Sequence, residues 1–155
     1  MAELGDEPWQ FRAPWWLPGG HAQTIWASLY ARRLQQGDAP VTWRRERWET
    51  PDGDFIDLDF STHRVGDQAP TLVLFHGLEG SSSSHYAQAT AQVCARRGWR
   101  LVVPHFRGCS GEPNRLVRAY HSGDAQELDW ILRRLRQGCG GDLLAMGVSL
   151  GGNVL

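Results

Sequence analysis

The chain has 155 residues, of which 41% are hydrophobic and 21% are charged, a length and balance typical of one soluble globular domain. Its net charge of −1 gives no electrostatic basis for binding nucleic acid or an anionic membrane surface. All sixteen basic residues are arginines, which excludes Schiff-base and P-loop chemistry because both need a lysine amine.

The amino-terminal segment and the cysteines favour a cytoplasmic protein. Met1–Pro8 is acidic and lacks the apolar core of a secretory signal peptide. The longest apolar runs have the length of strands, so no membrane-spanning segment is predicted. Cys94, Cys109 and Cys139 are an odd and widely spaced set, which predicts neither a disulfide framework nor a metal site.

Residues 1–40 form an amino-terminal arm that contains four of the eight tryptophans, set among prolines and glycines. An exposed arm so rich in tryptophan would be adhesive, so we expect it to pack on the domain formed by residues 41–155. Within the arm, Thr24–Arg33 has apolar residues at roughly helical spacing and predicts a short helix. The four tryptophans are Trp9, Trp15, Trp16 and Trp26.

A β-hairpin is predicted at the start of the domain. Val41–Trp48 and Phe55–Phe60 each alternate bulky and polar residues, and Pro51–Asp54 between them has the composition of a turn. One face of this pair is apolar and the other polar, as expected of antiparallel strands at the edge of a sheet.

Three continuous apolar runs follow, each typical of a strand that is buried on both faces. They are Thr71–Phe75, Trp99–Pro104 and Asp142–Met146. The segments between these strands predict helices over Ser84–Arg97 and about Gly123–Gln137.

The ends of the two helices also carry signals. Gly98 is the expected terminator of the first helix, and Asp124 with Glu127 forms a candidate capping pair for the second.

The strand–helix alternation predicts an open, mostly parallel, doubly wound α/β sheet with right-handed crossovers. Such sheets place their functional sites beyond the carboxyl ends of the strands.

The strongest chemical signal is the pentapeptide Gly147-Val148-Ser149-Leu150-Gly151, which follows the last predicted strand. A serine hydroxyl is a poor nucleophile unless it is held exposed beside a base. A tight strand–turn–helix connection with glycines two residues before and after the serine provides that exposure and is known as a nucleophile elbow. We therefore predict that Ser149 attacks an acyl carbonyl; the alternative is a structural serine in a tight turn.

A second signal, Phe75–Gly80, directly follows the first buried strand. The tetrahedral intermediate of acyl transfer needs two aimed N–H donors, and we predict the backbone amides of Leu78 and Leu150 as this oxyanion hole. Gly77 would let the backbone approach the substrate oxygen closely. We interpret His76 as a residue that supports this loop by hydrogen bonding rather than as the catalytic base.

A third signal is the glycine-rich loop Phe106–Arg115, which lies at the same sheet edge and is suited to shaping a pocket. Arg107 is predicted to pair with Glu79 or Glu112 and so to join the loops. A dinucleotide site is excluded because no Gly-x-Gly-x-x-Gly opens a helix here. Cys109 lacks an elbow and is not favoured as a nucleophile.

Together these motifs resemble the AB-hydrolase 4 family, the YheT-like carboxylesterases of the α/β-hydrolase superfamily. The resemblance spans nearly the whole chain and implies hydrolysis of short- or medium-chain carboxylic esters, through an acyl-enzyme on Ser149, without a cofactor or metal. A small-molecule acyl ester is the implied partner. For residues 1–40, the alternative to packing on the domain is that they line an acyl-binding surface. The motifs are Pro14–Leu17, His21–Thr24, His76–Ser81, Arg107–Asn114, Tyr120–Gly123 and the elbow.

The position of the histidines departs from the family pattern. In α/β-hydrolases the acid and then the histidine follow the serine, whereas all six histidines here precede Ser149 and the sequence ends at Leu155. We therefore expect these residues to be the amino-terminal portion of a hydrolase domain, nearly inert as a 155-residue polypeptide. The alternatives are a non-catalytic binding or partner-dependent module of the same fold, and an acyltransferase. The sequence makes no prediction of acyl or alcohol specificity or of oligomeric state.

Overall fold

The computed structural model describes residues 12–34 and 41–155, which fall into two compact units divided at residue 37. In the first unit, helix α1 spans Gly20–Leu34, so the helix predicted in the arm is confirmed and is longer at both ends. Its Trp26 contacts the Trp16 ring edge-on, with 5.4 Å between ring centroids. Trp9 lies outside the described residues, and the packing of the arm on the domain stays a prediction.

The second unit contains one five-stranded sheet in the order β1-β2-β4-β3-β5. Strand β3 pairs in parallel with β4 and β5, while β2 runs antiparallel to both β1 and β4. The predicted mostly parallel α/β sheet with an amino-terminal hairpin is therefore confirmed. The strands are β1 (Trp43–Glu49), β2 (Phe55–Ser61), β3 (Thr71–Phe75), β4 (Arg100–Pro104) and β5 (Leu143–Gly147). The helices are α2 (His85–Arg97), α3 (Ala125–Gly138) and α4 (Leu150–Val154).

Helices cover both faces of this sheet, which makes it doubly wound. Small side chains of α2 allow close packing on one face, against Leu74, Leu101 and Val103 of the central strands. Larger side chains of α3 pack on the other face, against a cluster that includes Val73, Phe75 and Val102. The contacting residues are Ala87, Ala91 and Cys94 of α2 and Leu128, Ile131 and Leu135 of α3. Among the described residues, no helix has the length and apolar character needed to cross a membrane.

The polar face of β2 is buried rather than solvated. Strand β2 has neighbours on both sides, and Asp57 and Asp59 are only 1% and 3% exposed. Each carboxylate accepts two hydrogen bonds of 2.7 to 2.9 Å from one guanidinium of β1, Arg47 on Asp57 and Arg45 on Asp59. Burial disfavours charge on Asp59, but bonds from Arg45, His105 and Ser82 outweigh it and hold its pKa below the usual range.

Strand β5 is less buried than its apolar sequence predicts. Leu144 and Met146 remain 41% and 39% exposed, whereas Val73 and Leu74 of β3 are fully buried. The reason is position: in the part of the chain that the structure describes, β5 pairs only with β3 and lies at the sheet edge. The prediction that β5 is buried on both faces is therefore wrong for these residues.

Candidate active site

A sharp turn joins β5 to α4 and presents Ser149. The residue has φ 52° and ψ −116°, a backbone conformation that residues other than glycine rarely adopt and that is often found at functional sites. Its side chain is exposed, and its hydroxyl makes no capping bond to α4. The predicted nucleophile is therefore accessible and is held in a strained conformation.

The two glycines of the pentapeptide are required by close backbone packing. A Cβ at Gly151 would overlap the carbonyl oxygen of Phe75 and lie 2.6 Å from that of His76. A Cβ at Gly147 would lie 2.5 Å from the carbonyl carbon of Gly151. The elbow can therefore form this turn only when both positions lack a side chain.

Replacing Gly151 by alanine is expected to lower the free energy of unfolding by about 1 to 3 kcal/mol, because the added methyl group forces β3 and α4 apart. Urea unfolding followed by circular dichroism measures the change. The matched control is Gly138→Ala at the end of α3, where an added Cβ meets nothing within 4 Å. Equal effects of the two substitutions would contradict the packing argument.

The loop after β3 lies beside Ser149 because β3 and β5 are parallel neighbours whose carboxyl ends meet at one sheet edge. The Val148 amide donates to the carbonyl oxygen of Phe75 at 3.0 Å. A Cβ placed on Gly77 would lie 3.5 Å from the Cβ of Ser149. The structure thus brings together the two motifs that the sequence places 72 residues apart, Gly77 and Ser149.

Leu78 and Leu150, the predicted oxyanion donors, flank this junction. Within the described ranges, the backbone amide of neither residue donates a hydrogen bond, and Leu78 is 69% exposed. Their amides are free to bind an anionic oxygen. The assignment of these amides as an oxyanion hole stays a prediction.

His76 is buried below the same loop with both ring nitrogens engaged. Its Nε2 accepts a hydrogen bond from the Phe106 amide at 3.1 Å, so Nδ1 carries the proton and donates to the carbonyl oxygen of Gly77 at 2.7 Å. Burial lowers the pKa of His76 to about 4, which keeps the ring neutral. This geometry fits a supporting residue and leaves no nitrogen free to act as a base.

Arg107 has different partners from those predicted. Its buried guanidinium binds Glu127 at 2.8 Å, Asp52 at 2.9 Å and Asp54 at 3.1 Å, whereas Glu112 pairs with Arg47. The prediction of a pair with Glu79 or Glu112 was wrong because it considered only charges on neighbouring loops, while all three partners come from elsewhere in the fold. Arg107 therefore joins the glycine-rich loop to α3 and to the hairpin.

The predicted capping pair at the start of α3 was also wrong. Asp124 occupies the N-cap position but makes no side-chain bond to the helix. Its carboxylate instead accepts hydrogen bonds from the His121 amide at 2.8 Å and from Arg118 at 2.6 Å. Since Glu127 binds Arg107, neither carboxylate remains available for capping.

Asp54 is a structural centre that the sequence analysis missed. Its buried carboxylate accepts hydrogen bonds of 2.9 to 3.0 Å from the amides of Phe55 and Arg115 and from the Asn114 side chain. Because Asp54 follows Pro-Asp-Gly, it was assigned to turn chemistry alone. Arg107 and Asn114, the two ends of the Arg107–Asn114 motif, both bind Asp54. The arginine and the amide of that motif are therefore the signal that could have indicated a buried carboxylate partner.

Comparison with known proteins gives the same fold. A family model described as the alpha/beta hydrolase fold matches residues 70–155. The putative esterase YheT of Escherichia coli is 47% identical over 137 residues, which is 87% of this chain and 39% of that protein. The phospholipase ABHD3 of Homo sapiens is 30% identical over 147 residues, which is 90% of this chain and 35% of that protein. The chain therefore spans between about a third and two fifths of the length of these curated relatives.

A solved structure supports the same fold at lower identity. An esterase of Pyrobaculum calidifontis superposes with a TM-score of 0.56 at 20% identity, over 85% of this chain and 43% of that chain. At this level of identity the likeness concerns the fold alone. The resemblance to YheT-like carboxylesterases is confirmed by the sequence matches.

Proposed function

Because this chain belongs to the α/β-hydrolase fold family, we propose that it carries the nucleophile and oxyanion hole of a serine hydrolase that cleaves carboxylic esters. The observation that carries the proposal is the exposed, strained Ser149 beside a loop with a free amide at Leu78. A turn of this kind exposes a hydroxyl for nucleophilic attack.

In the proposed reaction, the Ser149 hydroxyl attacks the ester carbonyl carbon while a base takes its proton. The carbonyl electron pair moves to oxygen, and the amides of Leu78 and Leu150 stabilise the resulting oxyanion. The intermediate collapses, the alcohol leaves with a proton, and water then hydrolyses the acyl-enzyme by the same route. His76 keeps the Leu78 loop in place and takes no proton, because both of its nitrogens are engaged.

The proposed base is not one of the six histidines of these 155 residues. In this superfamily it is a histidine that follows the serine in sequence, and all six histidines of the 155 residues precede Ser149. The relatives extend well beyond the matched region. We propose that the corresponding histidine of the complete coding sequence supplies the base, and that short- or medium-chain acyl esters are the substrates.

A fluorophosphonate probe tests the proposed nucleophile directly. The probe phosphonylates an activated serine and releases fluoride, so the protein from the complete coding sequence is expected to gain one adduct, on the peptide that contains Ser149. Peptide mass spectrometry locates the adduct. Ser149→Ala is expected to abolish labelling and the exposed Ser83→Ala to leave it unchanged; labelling that persists without Ser149 would contradict the proposal.

A further inference from the structure

Two tyrosine hydroxyls hold the turn that carries the Leu78 amide. The Tyr86 hydroxyl, on α2, accepts the Gly77 N–H at 3.0 Å, and the Tyr120 hydroxyl accepts the Glu79 N–H at 2.9 Å. These two tyrosines lie 34 residues apart in sequence, yet their hydroxyls take the amides immediately before and after Leu78.

The remaining amide of the turn is also engaged. The Gly80 N–H donates back to the carbonyl oxygen of Gly77 at 2.9 Å, which closes the turn. Among the amides of residues 77–80, all of which the structure describes, only that of Leu78 donates no hydrogen bond. The pattern therefore leaves one donor available for a ligand.

The turn also contains backbone strain that its contacts must oppose. Glu79 has φ 52°, a left-handed conformation that costs a residue with a side chain and is usually taken by glycine or asparagine in this part of a turn. The bond from the Glu79 amide to Tyr120 stabilises this conformation. Without it, the strained conformation of Glu79 would lose this support.

Tyr120 is itself held in place by packing. Its ring stacks on Phe106 with 5.2 Å between centroids and an interplanar angle of 9°. The Phe106 amide donates to His76, which in turn donates to the Gly77 carbonyl oxygen. Burial raises the pKa of Tyr120, and its hydroxyl keeps its proton at neutral pH. The turn is thus held by Tyr86 before Leu78 and by Tyr120 after it.

We propose that Tyr86 and Tyr120 are positioning residues of the oxyanion hole, which hold the Leu78 amide towards the substrate oxygen. The inference rests on the proposed function and adds two residues to it. Donors fixed before the reaction stabilise developing charge without reorganising, which is the main source of oxyanion-hole catalysis. Both tyrosines act through the turn, because their hydroxyls bind its amides.

Kinetics of Tyr86→Phe and Tyr120→Phe test the proposal in the protein from the complete coding sequence. Each substitution removes one hydroxyl and keeps the ring, so kcat for a p-nitrophenyl ester is expected to fall between about 10-fold and 10²-fold, the cost of misplacing a catalytic group by about 1 Å. KM is expected to change less than about threefold, because the misplaced amide matters only once the oxyanion forms. Affinity for an alkyl trifluoromethyl ketone, which forms a tetrahedral oxyanion on the serine, is expected to fall in parallel with kcat.

Ser61→Ala is the matched control. The Ser61 hydroxyl also accepts a backbone amide, that of Leu101 at 3.0 Å, but near the opposite end of the sheet. It is expected to lower stability and to leave kcat and ketone affinity unchanged. If the tyrosine variants also keep kcat within about twofold of wild type while Ser149→Ala is inactive, the positioning role is overturned.

Amide hydrogen exchange separates this inference from the proposed function. Exchange at Gly77 is expected to accelerate in Tyr86→Phe and exchange at Glu79 in Tyr120→Phe, whether or not the protein hydrolyses an ester. If exchange accelerates but hydrolysis does not depend on Ser149, the proposed function and the positioning role are both overturned. The tyrosine contacts themselves would still be confirmed by that result. Unchanged exchange would overturn the inference alone.

Discussion

Ester hydrolysis by the protein from the complete coding sequence is expected to fall about 10⁶-fold in kcat when Ser149 is replaced by alanine, the loss found when a triad nucleophile is removed. The exposed, strained serine is the only side chain in the proposed mechanism that forms a bond with the acyl carbon. The Leu78 and Leu150 amides would still bind the carbonyl oxygen, so a residual rate above the uncatalysed reaction and a nearly unchanged KM are expected. Initial rates with p-nitrophenyl butyrate measure both constants.

Two further proteins complete this experiment. Ser83→Ala, which removes another exposed serine hydroxyl, is expected to keep full activity. A polypeptide limited to residues 1–155 is expected to be nearly as inactive as Ser149→Ala, because no histidine follows the serine within it. Undiminished hydrolysis by Ser149→Ala would show that another residue is the nucleophile.

Replacing Arg107 by methionine is expected to lower the free energy of unfolding by about 3 to 5 kcal/mol, because it leaves buried carboxylates without their counter-charge. Asp54 is fully buried and Glu127 is 8% exposed, and both bind the guanidinium. Chemical denaturation at pH 7 measures the change. Arg133→Met is the matched control: its ion pair with Asp129 is solvent-exposed, so a loss below about 1 kcal/mol is expected.

The difference between wild type and Arg107→Met is expected to shrink as the pH falls. Hydrogen bonds from Thr50 and Arg107 hold the pKa of Asp52 below its usual range, so removing the guanidinium is expected to let this pKa rise towards its unfolded value. A lowered native pKa contributes stability above the unfolded value of about 3.9, and this stability is lost as the pH falls through the native value. Denaturation curves between pH 7 and pH 2 measure the trend, which is expected to begin below about pH 4, and a difference that stays constant down to pH 2 would contradict it.

Local patterns were sufficient to predict the elements that hold the elbow. The apolar runs of β3 and β4 and the helical spacing of α2 and α3 each depend on residues close in sequence, and Ser149 follows from the spacing of two glycines. The open, mostly parallel α/β sheet follows from the order of these elements. Periodicity identifies such segments because one buried face imposes one repeat.

Local sequence patterns could not predict contacts between residues that are far apart in the chain. The buried Asp59 on β2 reads as a solvent-facing residue in an alternating strand, and only the three-dimensional contacts with Arg45 and His105 show why its charge is tolerated. Tyr120 lies 41 residues from Glu79, and no local repeat connects them. The polar contacts that fix the site are therefore the part of the structure that the sequence alone did not reveal.

The strand order has a consequence for the way the chain folds. Strand β4 lies between β2 and β3, although both precede it in sequence, so β2 and β3 cannot reach their final separation until β4 enters between them. The β1–β2 hairpin is a local pairing and can form early, whereas this insertion closes a loop of about 40 residues and is expected to be slow. His105 follows β4 directly, so Asp59 acquires that partner only when the insertion is complete. This insertion also carries the Phe106 loop to the catalytic edge. Ser149 arrives with β5, whose pairing with β3 closes a still longer loop, which means that the site is assembled last.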